Sequence, residues 1–192
     1  MFAVIGLGNP GKEYQQSRHN IGFMAVDRVS DRFRGDFKKS KGLYLVSKIV
    51  ISNLPVLVAK PLTYMNLSGQ AARHLLDYFK ISDFSRVLIV LDDFNLPFGT
   101  LRLKPSGTAG GQKGLLSILR TFNTDAIPRL RIGIGGSFGD ASSYVLSPFS
   151  RNEQKVLPEI LDWAADAIES FVVQGIDKTM SHYNRNILEN SI

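Results

Sequence analysis

Apolar residues along the chain occur in two kinds of run, which predict strands separated by helices. Short apolar or alternating runs predict six strands, at residues 2–8, 43–52, 55–60, 86–91, 100–104 and 129–135. The run 87–91 is apolar at every position, as expected for a central strand that is covered on both faces. Strands 43–52 and 55–60 meet at Asn53 and Leu54, which predicts an antiparallel hairpin.

Between the strands, apolar residues recur at helical spacing. Four stripes have this period: Val26, Val29 and Phe33; Ala72, Leu75, Leu76 and Phe79; Leu115, Leu119 and Phe122; and Leu157, Ile160, Leu161, Ala164, Ile168 and Phe171. The last stripe predicts a long helix over residues 152–173, with Ser150 and Glu153 at capping-box spacing, Gly175 at its end and Pro158 as a possible bend. A short C-terminal helix is predicted around Ile187.

Alternating strands and helices predict an α/β fold, a single three-layer domain over residues 1–192 with a mixed, twisted central sheet flanked by helices. The 192 residues and the hydrophobic fraction of 44% suit one soluble globular domain. The absence of cysteine excludes disulfides, thiolate zinc sites and cysteine nucleophiles. Apolar runs are too short for a membrane helix, and no signal peptide is recognised, so we expect a cytoplasmic protein.

The net charge of +6 favours an anionic partner such as nucleic acid, although a merely basic soluble protein has the same balance. Arg102 and Lys104 alternate with leucines on one predicted strand, and Arg129 and Arg131 alternate with apolar residues on another. If the two strands are neighbours, their four cations form a patch suited to phosphates. A solvated sheet face or a charged edge strand explains the same pattern equally well.

Polar residues follow four of the predicted strands. They are Gly8-Asn9-Pro10-Gly11, then Tyr64-Met65-Asn66 after Pro61, then Asp92-Asp93, and finally Gly135-Gly136. Ligands of open α/β sheets bind outside the carboxyl ends of the strands. The sequence therefore predicts a functional site at this edge of the sheet.

Three glycine-rich motifs are weaker guides. GLGNPG at 6–11 fits GxGxxG, but no apolar helical stripe follows it at once, which disfavours a dinucleotide site. GTAGGQKG at 107–114 has Gly114 where a phosphate loop needs Ser or Thr. GGSFG at 135–139 fits GxSxG and would make Ser137 a nucleophile, but the residues after it are a poor helix start.

Among the three histidines, His19 has the best position for chemistry, because it starts the first helix just after a strand-end loop. A helix N-terminus disfavours the imidazolium, so the neutral ring can accept a proton. Asp92 or Asp93 could orient the ring, but neighbouring strand residues point to opposite sides, so only one can face it. With no evident nucleophile or metal cluster, the simplest mechanism is attack by a water that His19 deprotonates, although a capping or surface histidine remains an equal alternative.

Five segments in order resemble the bacterial peptidyl-tRNA hydrolase family: VIGLGNPGKEY, SRHNIGF, KPLTYMNLSG, LDDFNLPFG and RLRIGIG. The resemblance covers nearly the whole chain. It implies a single-domain α/β enzyme with a mixed sheet, which is mainly monomeric and needs no metal or other cofactor. Its partner would be peptidyl-tRNA, whose peptide–tRNA ester it cleaves to recycle molecules released prematurely from ribosomes.

The resemblance also implies roles for individual residues. His19 matches the catalytic base and Asp92 the aspartate that orients it, which leaves Asp93 as an ordinary exposed acid. Four residues match family positions around the peptide and the attacking water: Asn9, Tyr14, Met65 and Asn66. Asn9 also suits a turn and Asn66 a helix N-cap, and both structural roles are compatible with function. Lys104 and Arg131 match the family's clamp on the tRNA 5′ phosphate.

One segment departs from the family pattern. Where the family usually has GGHNG, this chain has Gly110-Gly111-Gln112-Lys113-Gly114. Lys113 replaces an asparagine of the substrate cleft, and two outcomes are open: Lys113 contacts a substrate carbonyl or a phosphate, or the enzyme is slower. Two other functions are considered: a non-catalytic RNA-binding protein of the same fold, and an esterase that uses Ser137.

Overall fold

The computed structural model describes residues 1–40, 42–136 and 140–190. Its strands are β1 (Phe2–Gly6), β2 (Lys38–Lys39), β3 (Tyr44–Ile51), β4 (Leu54–Pro61), β5 (Val87–Asp93), β6 (Leu101–Lys104) and β7 (Arg129–Gly133). Its α-helices are α1 (Ile21–Arg32), α2 (Ser68–Tyr78), α3 (Lys113–Phe122), α4 (Ala141–Leu146), α5 (Arg151–Gln174) and α6 (Ile176–Tyr183). The six predicted strands are all present, and β2 is an additional short edge strand.

The strands form one mixed sheet in the order β2-β3-β4-β1-β5-β7-β6. β4, β1, β5 and β7 are parallel to their neighbours in this group. β3 is antiparallel to β4, and β6 is antiparallel to β7. Because the four parallel strands point the same way, their carboxyl ends lie along one edge of the sheet.

Helices cover both faces of the sheet, which confirms the three-layer α/β fold. On one face, Val26 of α1 and Ile168 of α5 pack in a cluster with Leu88 and Val90 of β5. On the other face, Leu75 of α2 and Leu115 of α3 pack in a cluster with the remaining apolar residues of that strand. β5 is buried at every position, as its unbroken apolar run predicts.

The hairpin is confirmed, but its turn is one residue earlier than predicted. Ser52 and Asn53 have φ angles of 48° and 65°, and Leu54 already belongs to β4. Two adjacent residues with positive φ match the type I′ turn, whose twist suits the flanking strands.

The long helix is confirmed as α5, with the predicted capping box between Ser150 and Glu153. Pro158 lies within α5 and does not end it. The prediction of a helix around Ile187 is wrong, because α6 ends at Tyr183 and, up to residue 190, where the described residues end, Ile187 is followed by the single turn Leu188–Asn190. The local sequence did not indicate this, because the conformation at Ile187 is fixed by a distant contact. Its backbone nitrogen donates to the carbonyl oxygen of Gly99.

Candidate active site

The polar strand ends meet at a cavity of about 530 Å³ at the carboxyl edge of the parallel strands. Residues from three of the four predicted strand-end segments line it, together with His19 and one wall from α4. The predicted residues among them are Asn9, His19, Met65, Asn66, Asp92, Lys113 and Arg131. The topology thus brings together side chains that are far apart in sequence.

His19 lies in the single 3-10 turn Arg18–Asn20 directly before α1. Its Nδ1 is 2.8 Å from Oδ2 of Asp92, and the two side chains are only 13% and 3% exposed. An ionised carboxylate can only accept, so this contact holds the proton on Nδ1 and leaves Nε2 as the acceptor. Of the two neighbouring aspartates, Asp92 is therefore the one that faces the histidine.

The expectation that Asp93 is an ordinary exposed acid is wrong. Asp93 is only 7% exposed, and its Oδ2 is 3.2 Å from Nη1 of Arg131. Its Oδ1 accepts a hydrogen bond from the backbone of Asn95. β5 extends through Asp93, so this residue lies at the cavity, where Arg131 and the backbone of the following turn hold its carboxylate.

Asn9 joins three segments of the cavity wall. Its Oδ1 accepts from the Met65 backbone at 2.8 Å, and its own backbone nitrogen donates to Oδ1 of Asn20 at 2.8 Å. No acceptor for its Nδ2 is found among the residues that the structure describes. Asn66 is exposed at the cavity, and it is not a helix cap, because the residue that precedes α2 is Leu67.

Two further predicted contacts differ in position. Tyr14 is partly buried in the turn Lys12–Tyr14 and is not among the residues that line the cavity. Lys113 is exposed, begins α3 and lines the cavity. The position of Lys113 therefore suits a substrate contact better than that of Tyr14.

Sequence reasoning did not identify Gln112 as a site residue. Its Nε2 donates to Oδ1 of Asp92 at 3.0 Å, on the carboxylate oxygen that His19 does not use. Its Oε1 accepts from the backbone of Leu115, so Gln112 also caps α3. The departure from the family pattern at this position was the only sequence signal for it.

Arg18 was also missed, although it holds the turn that bears His19. Its guanidinium makes two hydrogen bonds of 2.7 Å to Glu153, and it lies over the rings of Tyr144 and Phe149. Burial alone would raise the pKa of Glu153, but hydrogen bonds from Arg18 and Ser150 outweigh it and lower that pKa to about 2. The ion pair thus ties the turn that bears His19 to the start of α5.

The predicted four-cation patch is only partly correct. β6 and β7 are neighbours, with Arg102 opposite Arg131 and Lys104 opposite Arg129. However, Arg129 is only 1% exposed and donates to the carbonyl oxygens of Gly107 and Asp125. Burial, and then the charge of Arg131, lower the pKa of Arg129 to about 10. The accessible cations are therefore exposed Arg102 and Lys104, with Arg131 partly buried beside the cavity.

The other predictions concern metals, membranes and Ser137. Within residues 1–40, 42–136 and 140–190, no cluster of three or more histidine, aspartate or glutamate side chains could hold a metal ion. In the same part of the chain, none of the helices combines the length and the apolar character that a membrane crossing requires. Ser137, the nucleophile of the esterase hypothesis, lies outside the described residues.

Comparisons with known proteins agree on one family. The peptidyl-tRNA hydrolase family model matches residues 3–191. The peptidyl-tRNA hydrolase of Chlorobium limicola is 44% identical over 96% of this chain and 98% of its own length, and that of Chloroflexus aggregans is 43% identical over 96% and 99%. The crystal structure of peptidyl-tRNA hydrolase from Acinetobacter baumannii superposes with a TM-score of 0.90 at 32% identity, covering 96% of this chain and 94% of that one. This chain therefore belongs to the peptidyl-tRNA hydrolase family.

Proposed function

We propose that this protein hydrolyses the ester bond between the peptide and the tRNA in peptidyl-tRNA, with water activated by His19. The observation that carries the proposal is the 2.8 Å contact between His19 Nδ1 and Asp92 at the wall of the cavity. Family membership supplies the substrate, and the histidine–carboxylate pair supplies a chemical means of cleaving its ester.

The reaction follows from the orientation of the ring. Nε2 of His19 takes a proton from water as the water oxygen attacks the ester carbonyl carbon. The tetrahedral intermediate then collapses, and the bond from that carbon to the ribose oxygen breaks. The imidazolium returns its proton to the departing ribose oxygen, which becomes a hydroxyl, so the products are a free peptide carboxylic acid and a tRNA with a free 3′ end. The Asp92 carboxylate stabilises the transient imidazolium through its contact with Nδ1.

Polar groups around the dyad are suited to the rest of the substrate. Nδ2 of Asn9, which has no acceptor among the described residues, and the exposed amide of Asn66 can pair with peptide carbonyl and amide groups, while Met65 contributes apolar lining. The Lys113 ammonium can stabilise the oxyanion of the tetrahedral intermediate or bind a phosphate near the tRNA 3′ end. The carbonyl oxygen of Tyr14 accepts hydrogen bonds from the backbone nitrogen and the hydroxyl of Ser17, so in this proposal Tyr14 supports the turn before His19.

The cations of β6 and β7 are proposed to bind the tRNA. Arg131 lines the cavity, and Arg102 and Lys104 extend the positive charge along β6 away from it. The 5′ phosphate and the 3′ end of a tRNA lie at the same end of the acceptor stem, so a clamp beside an ester-cleaving cavity fits this substrate. We further propose that residues 1–192 act as one monomeric domain in the cytoplasm, recycling prematurely released peptidyl-tRNA.

The test is the release of deacylated tRNA from N-acetyl-aminoacyl-tRNA by purified protein treated with EDTA. We expect release well above the buffer rate, with no loss on metal removal. Release at the buffer rate would contradict the proposal. If tRNA bound tightly and in a salt-dependent way without cleavage, the protein would instead be a non-catalytic RNA-binding member of the fold.

A further inference from the structure

Gln112 is the least expected residue beside the catalytic pair, and both ends of its amide are engaged. The side chain is only 9% exposed. Its Oε1 accepts from the backbone nitrogen of Leu115 at 2.7 Å, in the first turn of α3. Because a backbone N–H can only donate, this bond fixes which end of the amide is oxygen and directs Nε2 the other way.

The Nε2 end contacts Asp92. It donates to Oδ1 at 3.0 Å and lies 3.3 Å from the sulfur of Met65. Since His19 contacts Oδ2, both oxygens of the carboxylate have a partner. A chain of hydrogen bonds therefore runs from the backbone of α3 through Gln112 and Asp92 to the imidazole.

We propose that Gln112 is a positioning residue, which acts on the reaction through Asp92. By holding Oδ1 it prevents rotation of the carboxylate and keeps Oδ2 as the acceptor for His19 Nδ1–H. The ring then keeps the single tautomer in which Nε2 can accept a proton from water. This inference rests on the proposed function for its catalytic consequence, but the tautomer itself is measurable without turnover.

The amide also explains what the residue at this position must provide. It needs one donor for Asp92 and one acceptor for the Leu115 nitrogen. A neutral imidazole also carries one donor and one acceptor, so a histidine at this position can satisfy the same two partners. A carboxylate satisfies only the second, because it has no hydrogen to donate.

Gln112→Glu separates the two roles of this side chain. The change keeps the length and the acceptor that caps α3, but it replaces the donor with a second carboxylate beside Asp92. Gln112→Met removes both hydrogen bonds at similar size, and Gln112→His retains one donor and one acceptor. Gln70→Glu is the matched control, since it makes the same chemical change on the exposed surface of α2.

Two measurements decide the proposal. In Gln112→Glu we expect kcat on N-acetyl-aminoacyl-tRNA to fall about 10-fold or more, with KM within about twofold, because the loss acts on the orientation of a reacting group. The ¹⁵N shifts of the His19 ring should change from one Nδ1–H tautomer to a mixture of tautomers. Gln112→Met should show the same two changes with a lower Tm, whereas Gln112→His and Gln70→Glu should resemble the unmodified protein.

An unchanged kcat and unchanged His19 shifts in Gln112→Glu would overturn the proposal, as would a loss of kcat with the Nδ1–H tautomer intact. If Gln112→Glu fails to fold, Gln112→His decides, and a folded histidine variant with a mixed tautomer would count against it. Failure of the proposed function has a different signature. The unmodified protein would then release no tRNA, while the ring shifts would still report whether Gln112 holds the pair.

Discussion

The two charged regions beside the cavity are built in opposite ways. In the cavity, Asp92 hydrogen-bonds to both His19 and Gln112, and all three side chains are largely shielded from water. On β6, Arg102 and Lys104 are exposed, and among the described residues neither side chain has an ion-pair partner. The hydrogen bonds around Asp92 fix the geometry of the cavity before a substrate binds. The charges on β6, in contrast, are available to a ligand. Substitutions in the cleft should therefore change turnover, and substitutions on β6 should change affinity.

The largest effect is expected in the cleft. His19→Ala should lower the single-turnover rate on N-acetyl-aminoacyl-tRNA at least ~10²-fold, because general bases contribute by about this factor. Affinity for tRNA, measured by filter binding, should change little. His74→Ala on the exposed face of α2 is the matched control. A fully active His19→Ala protein would remove this residue from the mechanism.

Arg129 is buried, although it alternates with apolar residues in the sequence just as the exposed Arg102 and Lys104 do. Its substitution therefore tests whether a cation in this pattern is structural. Arg129→Ala should lower the free energy of unfolding by roughly 2–4 kcal/mol, since it leaves a cavity in place of a buried side chain and removes the donor to two carbonyl oxygens. Arg102→Ala should change it by less than about 0.5 kcal/mol. Equal stabilities of the two variants in urea unfolding would show that Arg129 is not a structural cation.

The phosphate clamp is best tested at Lys104. Arg131 also pairs with Asp93, so a change there would disturb the fold of the cavity wall. Lys104→Glu should weaken tRNA binding roughly 3- to 10-fold at low salt and lower the slope of log affinity against log salt by about 1. Cleavage of a minimal nucleotide ester should be unaffected. Lys155→Glu, an equal charge change on α5, is the control, and the same loss with both variants would point to net charge alone.

The smallest effect concerns the Arg18–Glu153 ion pair under acid conditions. The pKa of Glu153 falls from 4.5 to about 2 in the folded protein, so its contribution to stability is full above pH 4.5 and is lost as the pH falls towards 2. Glu153→Gln should therefore lower the Tm by about 2–4 °C at pH 7, with the difference shrinking towards pH 2. Glu159→Gln, on the exposed side of the same helix, should show little difference. If the difference in Tm between Glu153→Gln and the unmodified protein stayed constant down to pH 2, the ion pair would not be the cause of that difference.

Local patterns in the sequence were enough to predict most of the fold. Apolar runs located six strands, and the helical stripes and capping box located α5 within one or two residues at each end. These features depend on residues that are only a few positions apart, so they can be recognised in the sequence itself. The prediction of a C-terminal helix failed because Ile187 lies in a segment that is fixed by a backbone hydrogen bond to Gly99, far away in the sequence. Local apolar spacing does not reveal such a contact.

The carboxyl edge of the sheet could also be predicted, because parallel strands bring their ends together whatever their order. Which polar residue contacts which could not be predicted from pattern. The partners of Asp92 are 73 and 20 residues away, and Arg18 is 135 residues from Glu153. Only the packing of α1, α3 and α5 on the sheet brings such groups within 3 Å.

The sequence by itself determined the order of strands and helices, the edge at which chemistry is concentrated and the excess of positive charge. The tertiary structure decided which charges are buried and which are available. Arg129 and Lys104 occupy directly opposite positions on neighbouring strands, yet only Arg129 is covered, by the backbone around Gly107 and Asp125. Alternation along a strand shows to which side a residue points, but whether that side meets water depends on segments that pack there from elsewhere in the chain.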